Sequence, residues 1–553
     1  MDVSNAPYHH PRPWDTPIPT MSLPAMFARS AAAKPDAPIA DFLGRTYTYR
    51  EMHGQARHFA AALQAMGISK GERVGLFLPN APIYIAAYYG AMMTGATVVN
   101  FSPLYSVAEL SHQVEDSGTR LLVTMDAASL LPTALEVLNG STLEHLVVGN
   151  LAGMLPFVKS WGLRIAGRKQ LAPVPKRDDV LNWADMTRGG EPQPVTIDPE
   201  TDLALLQYTG GTTGTPKGAM LTHANLTANA MQVDAIDPFE DRDVIMGVLP
   251  FFHVFANTCV LNRTVAKGGC IAMLPRFDAG DTLKLVDRIK PTSFPGVPTM
   301  YQALLDHERI GRTDFTSLKV CVSGGAALSA PTRERFEAIS GARVVEGYGL
   351  TESSGVVSTN PYIGERRPGT IGQPLPGTRV RLLDKEDPSR PAPEGEPGEL
   401  VVSGPQIMQG YWNRPETAKD AFVEAEGRRW LRTGDIAQID ADGFIRIVDR
   451  SKDMISVGGF KVFPSQVEDV LVDHEAVKEA LVIGVPEDYR GEVPRAYVTL
   501  NEGFEESGDA LAKWLNARIG KHERVDSVVV RDELPKTMIG KLDRKALRAE
   551  VLD

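Results

Sequence analysis

The stretch Tyr208–Gly218 reads YTGGTTGTPKG, and the interpretation of the whole chain starts from it. An apolar run, Leu203–Leu206, precedes it and predicts a buried strand, and Thr222 can N-cap a helix that follows it. The stretch is therefore predicted to be a flexible turn between a strand and a helix start. Its hydroxyls, glycines and Lys217 offer backbone N–H groups, hydroxyl donors and a point charge, a set that favours a polyphosphate as the bound anion.

The spacing of this stretch differs from the GxxxxGK[ST] pattern of P-loop proteins. Lys217 follows Pro216 instead of a glycine and precedes Gly218 instead of a hydroxyl residue. A Walker-type NTPase is therefore disfavoured. Taken alone, the stretch is equally compatible with an ordinary Gly/Thr surface loop, so the rest of the chain has to decide between the two.

The composition is typical of a globular protein with more than one domain. With 553 residues, 43% hydrophobic and 23% charged, the chain is too long for one core of usual size. A formal net charge of −11 and the lack of a long Lys/Arg run disfavour nucleic acid as a partner. Cys259, Cys270 and Cys321 form no CxxC pair, which disfavours a disulfide framework or thiolate zinc site and fits a reducing cytosol.

Two segments bear on export and membrane insertion. The N-terminus has no basic start followed by an apolar core, so no secretory signal is predicted and a cytoplasmic location is expected. No residue from Val74 to Ala108 is formally charged, but prolines, glycines and asparagines interrupt this run. A buried helix with a flanking strand is therefore favoured over a membrane span.

The order of predicted elements indicates a large α/β domain with stacked sheets and a β-rich subregion, followed by a small α+β domain. Helix-like and strand-like stretches alternate from Met21 to about Val148. Four later apolar strands end in small residues, and because open α/β sheets bind ligands beyond the carboxyl ends of their strands, these ends are expected to share one crevice. The predicted strands are Val244–Leu249, Gly268–Leu274, Leu318–Val322 and Val344–Val345.

A change of composition at Asp449–Lys452 predicts a boundary between residues 1–448 and residues 449–553. Before it, Asp384–Glu399 is rich in Pro, Gly and charge and predicts a solvent loop within the β-rich subregion. After it, about a hundred residues of strand and helix patterns suffice for a small domain. The last predicted strand, Val528–Val530, leads into a loop that presents Lys541.

The segment Leu151–Lys169 is predicted to be a basic amphipathic helix. Peripheral contact with anionic lipid, at the inner face of the cytoplasmic membrane, is one interpretation. Packing of the helix on its own domain with a solvated basic edge is favoured equally. One face carries Leu151, Met154, Leu155, Val158, Trp161 and Ile165, and Lys159, Arg164, Arg168 and Lys169 lie mostly elsewhere.

Seven motifs stand in order along nearly the whole chain. They are YTGGTTGTPKGAMLTH at Tyr208–His223, LPFFHVFA at Leu249–Ala256, SGGAAL at Ser323–Leu328, EGYGLTE at Glu346–Glu352, TGD at Thr433–Asp435, DRSKDMISVGGFKVFPSQVED at Asp449–Asp469 and PKTMIGK at Pro535–Lys541. In this order they resemble the motifs of acyl-adenylate-forming enzymes, and most closely those of bacterial long-chain fatty acid–CoA ligases. One such motif can arise by chance, whereas seven in the family's order indicate membership.

The resemblance implies a two-step reaction with a fatty acid, ATP and coenzyme A as substrates. A carboxylate attacks the α-phosphorus of ATP and releases pyrophosphate, and the thiol of coenzyme A then displaces AMP from the acyl-adenylate. Because an anionic nucleophile approaches a polyanion, catalysis is expected to consist mainly of positioning and charge neutralisation. The resemblance also implies Mg²⁺, met by Glu352 with Thr209 nearby, and hard oxygen ligands suit that ion.

The resemblance also assigns the nucleotide site. Lys217 and the loop N–H groups would hold the departing phosphates, and Tyr348 would stack on adenine. Asp435, which in isolation is more simply a turn residue, would hold the ribose hydroxyls together with Arg450. Thr351 would touch the α-phosphate. The implied ATP-binding set is Thr209, Gly210, Gly211, Thr212, Thr213, Gly214, Lys217, Gly324, Gly325, Ala326, Glu346, Gly347, Tyr348, Gly349, Thr351, Asp435, Arg450 and Lys541, of which Lys541, Lys217 and Thr351, together with Glu352, are the implied catalytic residues.

By the same resemblance, Lys541 would bridge the carboxylate and the α-phosphate during adenylation. The small domain would then rotate about a hinge at Asp449 and Lys452. Rotation would bring up Gly458, Gly459 and Lys461, where the glycines admit the pantetheine arm closely because they lack side chains. Acetylation of Lys541 would remove its charge and is a hypothesis for regulation.

The implied acyl pocket comprises His253, Val254, Phe255, Asn257 and Gly324. His253 is interpreted as close to the substrate and not as a base. Asn257 stands where some long-chain relatives carry a tryptophan gate, so gating of the acyl tunnel is expected to differ. The small side chains of SGGAAL leave room for a tunnel and favour medium to long chains, whereas chain length and a homodimeric state do not follow from the sequence.

The sequence also bears on functions other than a fatty acid–CoA ligase. An aryl or short-chain acid is the main alternative substrate, and an amino-acid-adenylating domain would be expected to carry an aspartate near Phe252–Val254, where none is found. A serine hydrolase needs GxSxG, and Ser323 in CVSGG lacks the first glycine. A non-catalytic lipid carrier would not need Lys541, Asp435 and Glu352 together.

Overall fold

The computed structural model describes residues 7–209, 216–240, 243–384, 387–450, 453–457, 460–487, 490–521, 523–537 and 540–552, with residues 460 and 461 described by their backbone only. Several predicted site residues lie outside this description. They are Gly210, Gly211, Thr212, Thr213, Gly214, Lys452, Gly458 and Gly459, together with the side chain of Lys461.

The described strands form four sheets. Their bounds are β1 Pro38–Phe42, β2 Arg45–Thr48, β3 Arg73–Phe77, β4 Thr97–Phe101, β5 Thr119–Met125, β6 His145–Gly149, β7 Val180–Asn182, β8 Leu203–Thr209, β9 Lys217–Thr222, β10 Val244–Gly247, β11 Cys270–Met273, β12 Ser293–Gly296, β13 Val320–Gly324, β14 Arg343–Tyr348, β15 Ser358–Thr359, β16 Gln373–Pro374, β17 Arg379–Leu383, β18 Gly398–Ser403, β19 Gly410–Tyr411, β20 Phe422–Ala425, β21 Arg428–Ile439, β22 Ile445–Arg450, β23 Ile455–Val457, β24 Phe460–Val462, β25 Val477–Glu487, β26 Gly491–Leu500 and β27 Val528–Val530.

The described α-helices lie between these strands. Their bounds are α1 Leu23–Ala33, α2 Tyr49–Ala65, α3 Pro82–Met93, α4 Val107–Ser117, α5 Leu131–Gly140, α6 Phe157–Ile165, α7 Trp183–Met186, α8 His223–Ala235, α9 Val254–Ala256, α10 Arg263–Lys267, α11 Ala279–Ile289, α12 Pro298–Leu305, α13 Ala330–Ser340, α14 Pro415–Asp420, α15 Pro464–Val472, α16 Gly508–Asn516 and α17 Arg544–Leu552, and a π-helical stretch, Asn257–Asn262, joins α9 to α10.

The first large sheet has the order β19-β9-β8-β4-β3-β5-β6-β7, with parallel pairing from β8 through β4, β3, β5 and β6 to β7. The uncharged run from Val74 to Ala108 contributes β3 and β4 to this sheet and α3 between them. The helix α3 is buried, as predicted for this run in place of a membrane span. Among the described residues, no helix combines the length and apolar character that a membrane crossing requires.

The second large sheet has the order β16-β15-β14-β13-β12-β10-β11-β1-β2. Its strands β14, β13, β12, β10 and β11 are parallel neighbours, so their carboxyl ends lie along one edge. All four strands that the sequence predicted to end in small residues belong to this set. One buried hydrophobic cluster joins both large sheets and fixes their mutual position.

Two smaller sheets follow. Strands β17, β18, β21, β20 and β22 make the predicted β-rich subregion, and the described part of the Asp384–Glu399 segment connects β17 to β18. Strands β23 to β27 make a separate sheet with its own buried cluster, on which α15 and α16 pack. The fold predicted from the sequence, a large α/β part with a β-rich subregion and a small α+β part, is confirmed.

The structure corrects the prediction around the glycine-rich stretch. Thr222 does N-cap α8, with a capping box that includes Asn225. The helix does not start directly after the loop, however, because the additional strand β9 comes first and pairs with β8 as a hairpin. This strand reads KGAMLT and has no alternation of apolar and polar residues by which the sequence could distinguish it from the loop.

A single helix over Leu151–Lys169 is also wrong. A 3-10 turn, Ala152–Met154, ends before Pro156, and α6 begins at Phe157. The residue before a proline avoids helical conformation, which explains the break after Leu155. Leu151, Met154 and Leu155 therefore pack on the core, separately from the apolar residues of α6.

Candidate active site

The hairpin β8–β9 holds the two ends of the glycine-rich loop. Thr209 and Lys217 are direct partners across this hairpin. One residue pair away from the loop, the Tyr208 hydroxyl donates a 2.6 Å hydrogen bond to Asp116. The other oxygen of Asp116 accepts from Arg414 at 2.8 Å. Burial and this carboxylate raise the pKa of Tyr208, which keeps its hydroxyl a donor. Asp116 and Arg414 are not in any predicted motif.

Tyr411 connects Glu352 to the same hairpin. Its strand β19 pairs with β9, opposite Ala219. The Tyr411 hydroxyl donates a 2.7 Å hydrogen bond to Glu352 Oε1, and Lys217 Nζ lies 5.6 Å from the centre of the Tyr411 ring. Burial and the charge of Glu352 raise the pKa of Tyr411. The structure thus brings the two predicted catalytic residues Lys217 and Glu352 to one tyrosine that the motifs did not identify.

Asp435, in β21, contacts residues of β22 and β14. It is 4% exposed and stands opposite Arg450 in the register of β21 and β22. Arg450 Nε is 3.4 Å from Asp435 Oδ1, and the Tyr348 hydroxyl donates a hydrogen bond to Oδ2. Burial, followed by the Asp435 charge, raises the pKa of Tyr348 well above its ordinary value. A buried carboxylate with two oriented partners is not a simple turn residue.

Glu346 holds the loop that follows β13. Its two carboxylate oxygens accept from Leu328 N at 3.2 Å and from Gly369 N at 3.3 Å. Burial raises the pKa of this carboxyl in spite of the two N–H donors, which lower it. The side chain is thus used to position backbone.

The other predicted residues of this edge follow the two parallel strands. Gly324 and Gly347 are register partners at the ends of β13 and β14. A Cβ on Gly349 would come within 2.0 Å of Gly355 O, so the backbone turns too closely there for any side chain. Ala326 is exposed in the loop after β13, and Thr351 starts a 3-10 turn that ends at Ser353.

Lys541 reaches this edge from the small domain. Gly325 has a φ of +86°, and a Cβ placed on it would lie 2.5 Å from Lys541 Cε and 2.8 Å from Lys541 Nζ. Burial first and the Arg450 charge second lower the pKa of Lys541, and with the opposing effect of Asp435 the pKa is about 8. The ammonium group therefore sits close to the nucleotide candidates Gly325, Arg450 and Asp435.

His253 and Phe255 border the same loop. His253 N-caps α9, where its Nδ1 accepts from Phe255 N at 3.3 Å. Burial, and secondarily the Lys541 charge, lower the pKa of His253 to about 3, so the imidazole is neutral near pH 7. A Cβ on Gly324 would lie 3.0 Å from Phe255 Cζ, which requires glycine at that position unless the ring moves. Val254 is buried beside them.

Asn257 is part of a buried hydrogen-bond network in the π-helical stretch. Its Oδ1 accepts from the Tyr88 hydroxyl at 3.0 Å and from Asn262 Nδ2 at 2.9 Å. The side chain is fully buried. Asn257 thus attaches the π-helical stretch to α3 through Tyr88, a role that the sequence did not suggest.

Asp449 contacts the start of the small domain. It is buried in β22, and its Oδ2 accepts from Ser465 N at 2.9 Å. Burial raises the pKa of this carboxyl, and the N–H of Ser465 opposes the rise. A second contact between the two parts joins Lys478 to Asp306 at 3.6 Å.

This arrangement defines a class of protein. The chain belongs to the AMP-binding enzymes: that family matches residues 27–412, and the AMP-binding enzyme C-terminal domain matches residues 466–541. The membership predicted from the seven motifs is confirmed.

The chain is also similar to individual proteins of this family. The chain is 38% identical to a long-chain-fatty-acid–CoA ligase of Bacillus subtilis, over 99% of this chain and 97% of the relative. It is 34% identical to a feruloyl-CoA synthase of Amycolatopsis, over 94% and 97% of the two chains. Its fold superposes with a TM-score of 0.83 on the ATP-bound crystal structure of MatB from Rhodopseudomonas palustris, at 28% identity over 96% of this chain and 99% of that one.

Proposed function

We propose that this AMP-binding enzyme is an AMP-forming ligase that joins a long-chain or medium-chain fatty acid to coenzyme A through an acyl-adenylate. The observation that carries the proposal is the convergence of Lys541, from the small domain, with Asp435 and Arg450 beside the carboxyl ends of β13 and β14. A binding protein without chemistry has no need of a partly buried ammonium group placed at this point by a second domain.

In the proposed first step, the residues of this chain mainly neutralise and position charge. Asp435 accepts from the ribose hydroxyls, held in place by Tyr348 and Arg450. Lys217 and Thr351 bind phosphate oxygens, and Lys541 binds the fatty-acid carboxylate and an α-phosphate oxygen together. The P–O bond to pyrophosphate breaks as the carboxylate oxygen bonds to the α-phosphorus. Neutral His253 borders the acyl group without adding charge.

The residues present fit a magnesium ion. Glu352 uses Oε1 for Tyr411, and its second carboxylate oxygen faces no hydrogen-bond donor among the contacts of the described residues, while the Thr209 hydroxyl stands at the start of the loop. Glu352 and Thr209 are the residues that would hold Mg²⁺, and hard oxygen donors of this kind are the ones it prefers. When bound, the ion would neutralise phosphate charge.

The second proposed step uses a different arrangement of two domains, residues 1–448 and residues 449–553. After pyrophosphate leaves, the Lys541 charge is no longer needed, and rotation about Asp449 and Lys452 replaces it at the site with Gly458, Gly459 and Lys461. The thiol of coenzyme A then attacks the acyl carbonyl and AMP departs. The ion pair of Lys478 with Asp306, at 3.6 Å, crosses between these two domains and would have to break on rotation.

The acid specificity is tested with a panel of acids from acetate to oleate, together with ferulate. We expect kcat/KM for palmitate or oleate to exceed that for acetate or ferulate by roughly 100-fold or more, because each buried methylene adds to binding. CoA-thioester formation and acid-dependent pyrophosphate release are measured together. A preference for ferulate would instead favour an aryl-CoA ligase, in keeping with the feruloyl-CoA synthase relative. No pyrophosphate with any acid would overturn the ligase.

A further prediction concerns Tyr411. Tyr411→Phe removes the hydrogen bond that orients Glu352, and a hydrogen bond to a charged group contributes about 1.5–3 kcal/mol. We expect the Mg²⁺ concentration for half-maximal pyrophosphate release to rise by roughly tenfold or more, with little change in the KM for the fatty acid.

The matched control is Tyr47→Phe. Tyr47 donates a hydrogen bond of the same 2.7 Å length to Met154 O, far from the predicted nucleotide residues in sequence and on a different hairpin. We expect its Mg²⁺ dependence to equal that of the native enzyme. If both variants respond to Mg²⁺ as the native enzyme does, Tyr411 does not position Glu352 for the ion.

A further inference from the structure

The helix α6 presents its apolar side chains outwards. All nine of its residues are described, and none of them is buried. Phe157 and Val158 are each 79% exposed, Ile165 is 64% exposed and Trp161 is 60% exposed. With Leu104 they are the five most exposed large apolar side chains among the residues that the structure describes.

These four side chains form one face. At 100° per residue, Phe157, Trp161, Ile165 and Val158 fall within an arc of about 100°. Leu163, on the opposite side, is partly buried, and Lys159 donates from near that side to Leu43 O at 2.8 Å. The protein therefore contacts the side of the helix that carries fewer large apolar groups, the reverse of an ordinary packed helix.

The orientation of α6 is held by the segments around it. Lys159 anchors the helix to the turn between β1 and β2. The preceding turn is anchored to the same hairpin, because Arg45 donates to Gly153 O at 2.6 Å and Tyr47 donates to Met154 O at 2.7 Å. These hydrogen bonds hold α6 in one orientation, with its apolar face towards solvent.

The charge around this face is positive. Residues 151–170 contain four Lys or Arg residues and no Asp or Glu, in a chain of net charge −11. The basic residues are Lys159, Arg164, Arg168 and Lys169. A local excess of positive charge on an acidic protein is complementary to an anionic surface.

We propose that the α6 face, defined as Phe157, Val158, Trp161 and Ile165, inserts into the headgroup region of an anionic lipid bilayer while the adjacent basic side chains contact lipid phosphates. A short helix with tryptophan and phenylalanine on one face and Lys or Arg beside it is the arrangement that lies in a membrane interface. This proposal rests on exposure and charge alone and stands or falls independently of the proposed ligase activity.

The test is sedimentation of the full-length protein with phosphatidylglycerol-containing vesicles and with pure phosphatidylcholine vesicles. We expect binding to the anionic vesicles that weakens as salt rises. The triple variant Phe157→Ser, Trp161→Ser, Ile165→Ser should bind roughly 100-fold more weakly, since its lost apolar area no longer enters the interface. Arg168→Gln with Lys169→Gln should weaken binding roughly tenfold or more.

Two controls separate insertion from other effects. Ile339→Ser with Ile363→Ser removes exposed apolar groups of similar type elsewhere and should leave vesicle binding unchanged. The tryptophan emission should shift to the blue on binding in the native protein, and Trp161→Phe should bind but lose most of that shift. Equal vesicle binding by the native protein and the triple variant, or no anionic preference, overturns the proposal. So does a native dimer that the triple variant converts to a monomer without any vesicle binding, because the α6 face would then be a contact between copies.

Discussion

Lys541→Ala is expected to lower the rate of acid-dependent pyrophosphate release by roughly 100- to 1,000-fold, the usual cost of removing one preorganised charge-stabilising group. The reason is geometric: Lys541 Nζ is a partly buried cation that lies against Gly325, near Arg450 and Asp435. Thioester formation from supplied acyl-adenylate and coenzyme A should fall by less than about threefold, since the ammonium group has no function after pyrophosphate leaves.

The control lies in the same loop. Lys536 pairs with Glu479 of the small domain at 2.6 Å and is 40% exposed at its side chain, so Lys536→Ala removes a lysine without touching the site. Surface ion pairs of this kind contribute little, and both half-reactions should remain near the native rates. Equal loss of both half-reactions in Lys541→Ala would refute the proposed rotation of the small domain.

A pH profile gives a second readout for Lys541. With its pKa lowered to about 8, the group is protonated below that pH and loses its charge above it. The kcat/KM for ATP in the first half-reaction reports the free enzyme and should therefore fall above pH 8 by about tenfold per pH unit. Lys541→Ala should lack this alkaline limb. Acetylation of Lys541, which also removes its charge, should reproduce the loss at every pH, and a deacetylated sample should recover.

Asp435→Asn is expected to raise the KM for ATP by roughly 10- to 100-fold. The substitution keeps the shape of the side chain but removes the charge that Arg450 contacts and weakens the acceptor for the Tyr348 hydroxyl. Hydrogen bonds to a charged group contribute about 1.5–3 kcal/mol, and 1.4 kcal/mol corresponds to a factor of ten. The measurement is the ATP dependence of pyrophosphate release at saturating fatty acid.

The pH profile distinguishes this electrostatic role from simple loss of structure. Because the Asp435 charge raises the pKa of Lys541, its removal should shift the alkaline limb to lower pH. Asp442→Asn, in the turn of the same β21–β22 hairpin and paired with Arg367, should change neither the KM nor the limb. An unchanged limb together with an unchanged KM in Asp435→Asn would remove Asp435 from the nucleotide site.

Much of the fold could be predicted from local patterns. Short apolar runs lead into SGGAAL and EGYGLTE and form the parallel strands β13 and β14, with Gly324 opposite Gly347. This agrees with the expectation that ligands bind beyond the carboxyl ends of parallel strands. The N-cap predicted at Thr222 from its residue type is confirmed, and the structure adds Asn225, three residues later, as the second member of a capping box. The strand β9 was missed because a six-residue strand next to a glycine-rich loop has no periodicity of its own.

The amino-acid sequence by itself determined the family and the order of the large α/β part, the β-rich subregion and the small α+β part, since these follow from short motifs and from local strand and helix patterns. Through the family resemblance it also named candidate residues for the crevice. Only the tertiary structure showed that Tyr411 holds Glu352, that Asp116 fixes Tyr208 and that Asn257 is bonded to Tyr88, because these partners are 59, 92 and 169 positions apart. The same holds for α6. Spacing along a helix shows that its apolar residues share a face, but the direction in which that face points depends on the contacts of Lys159 and of the preceding turn with a distant hairpin.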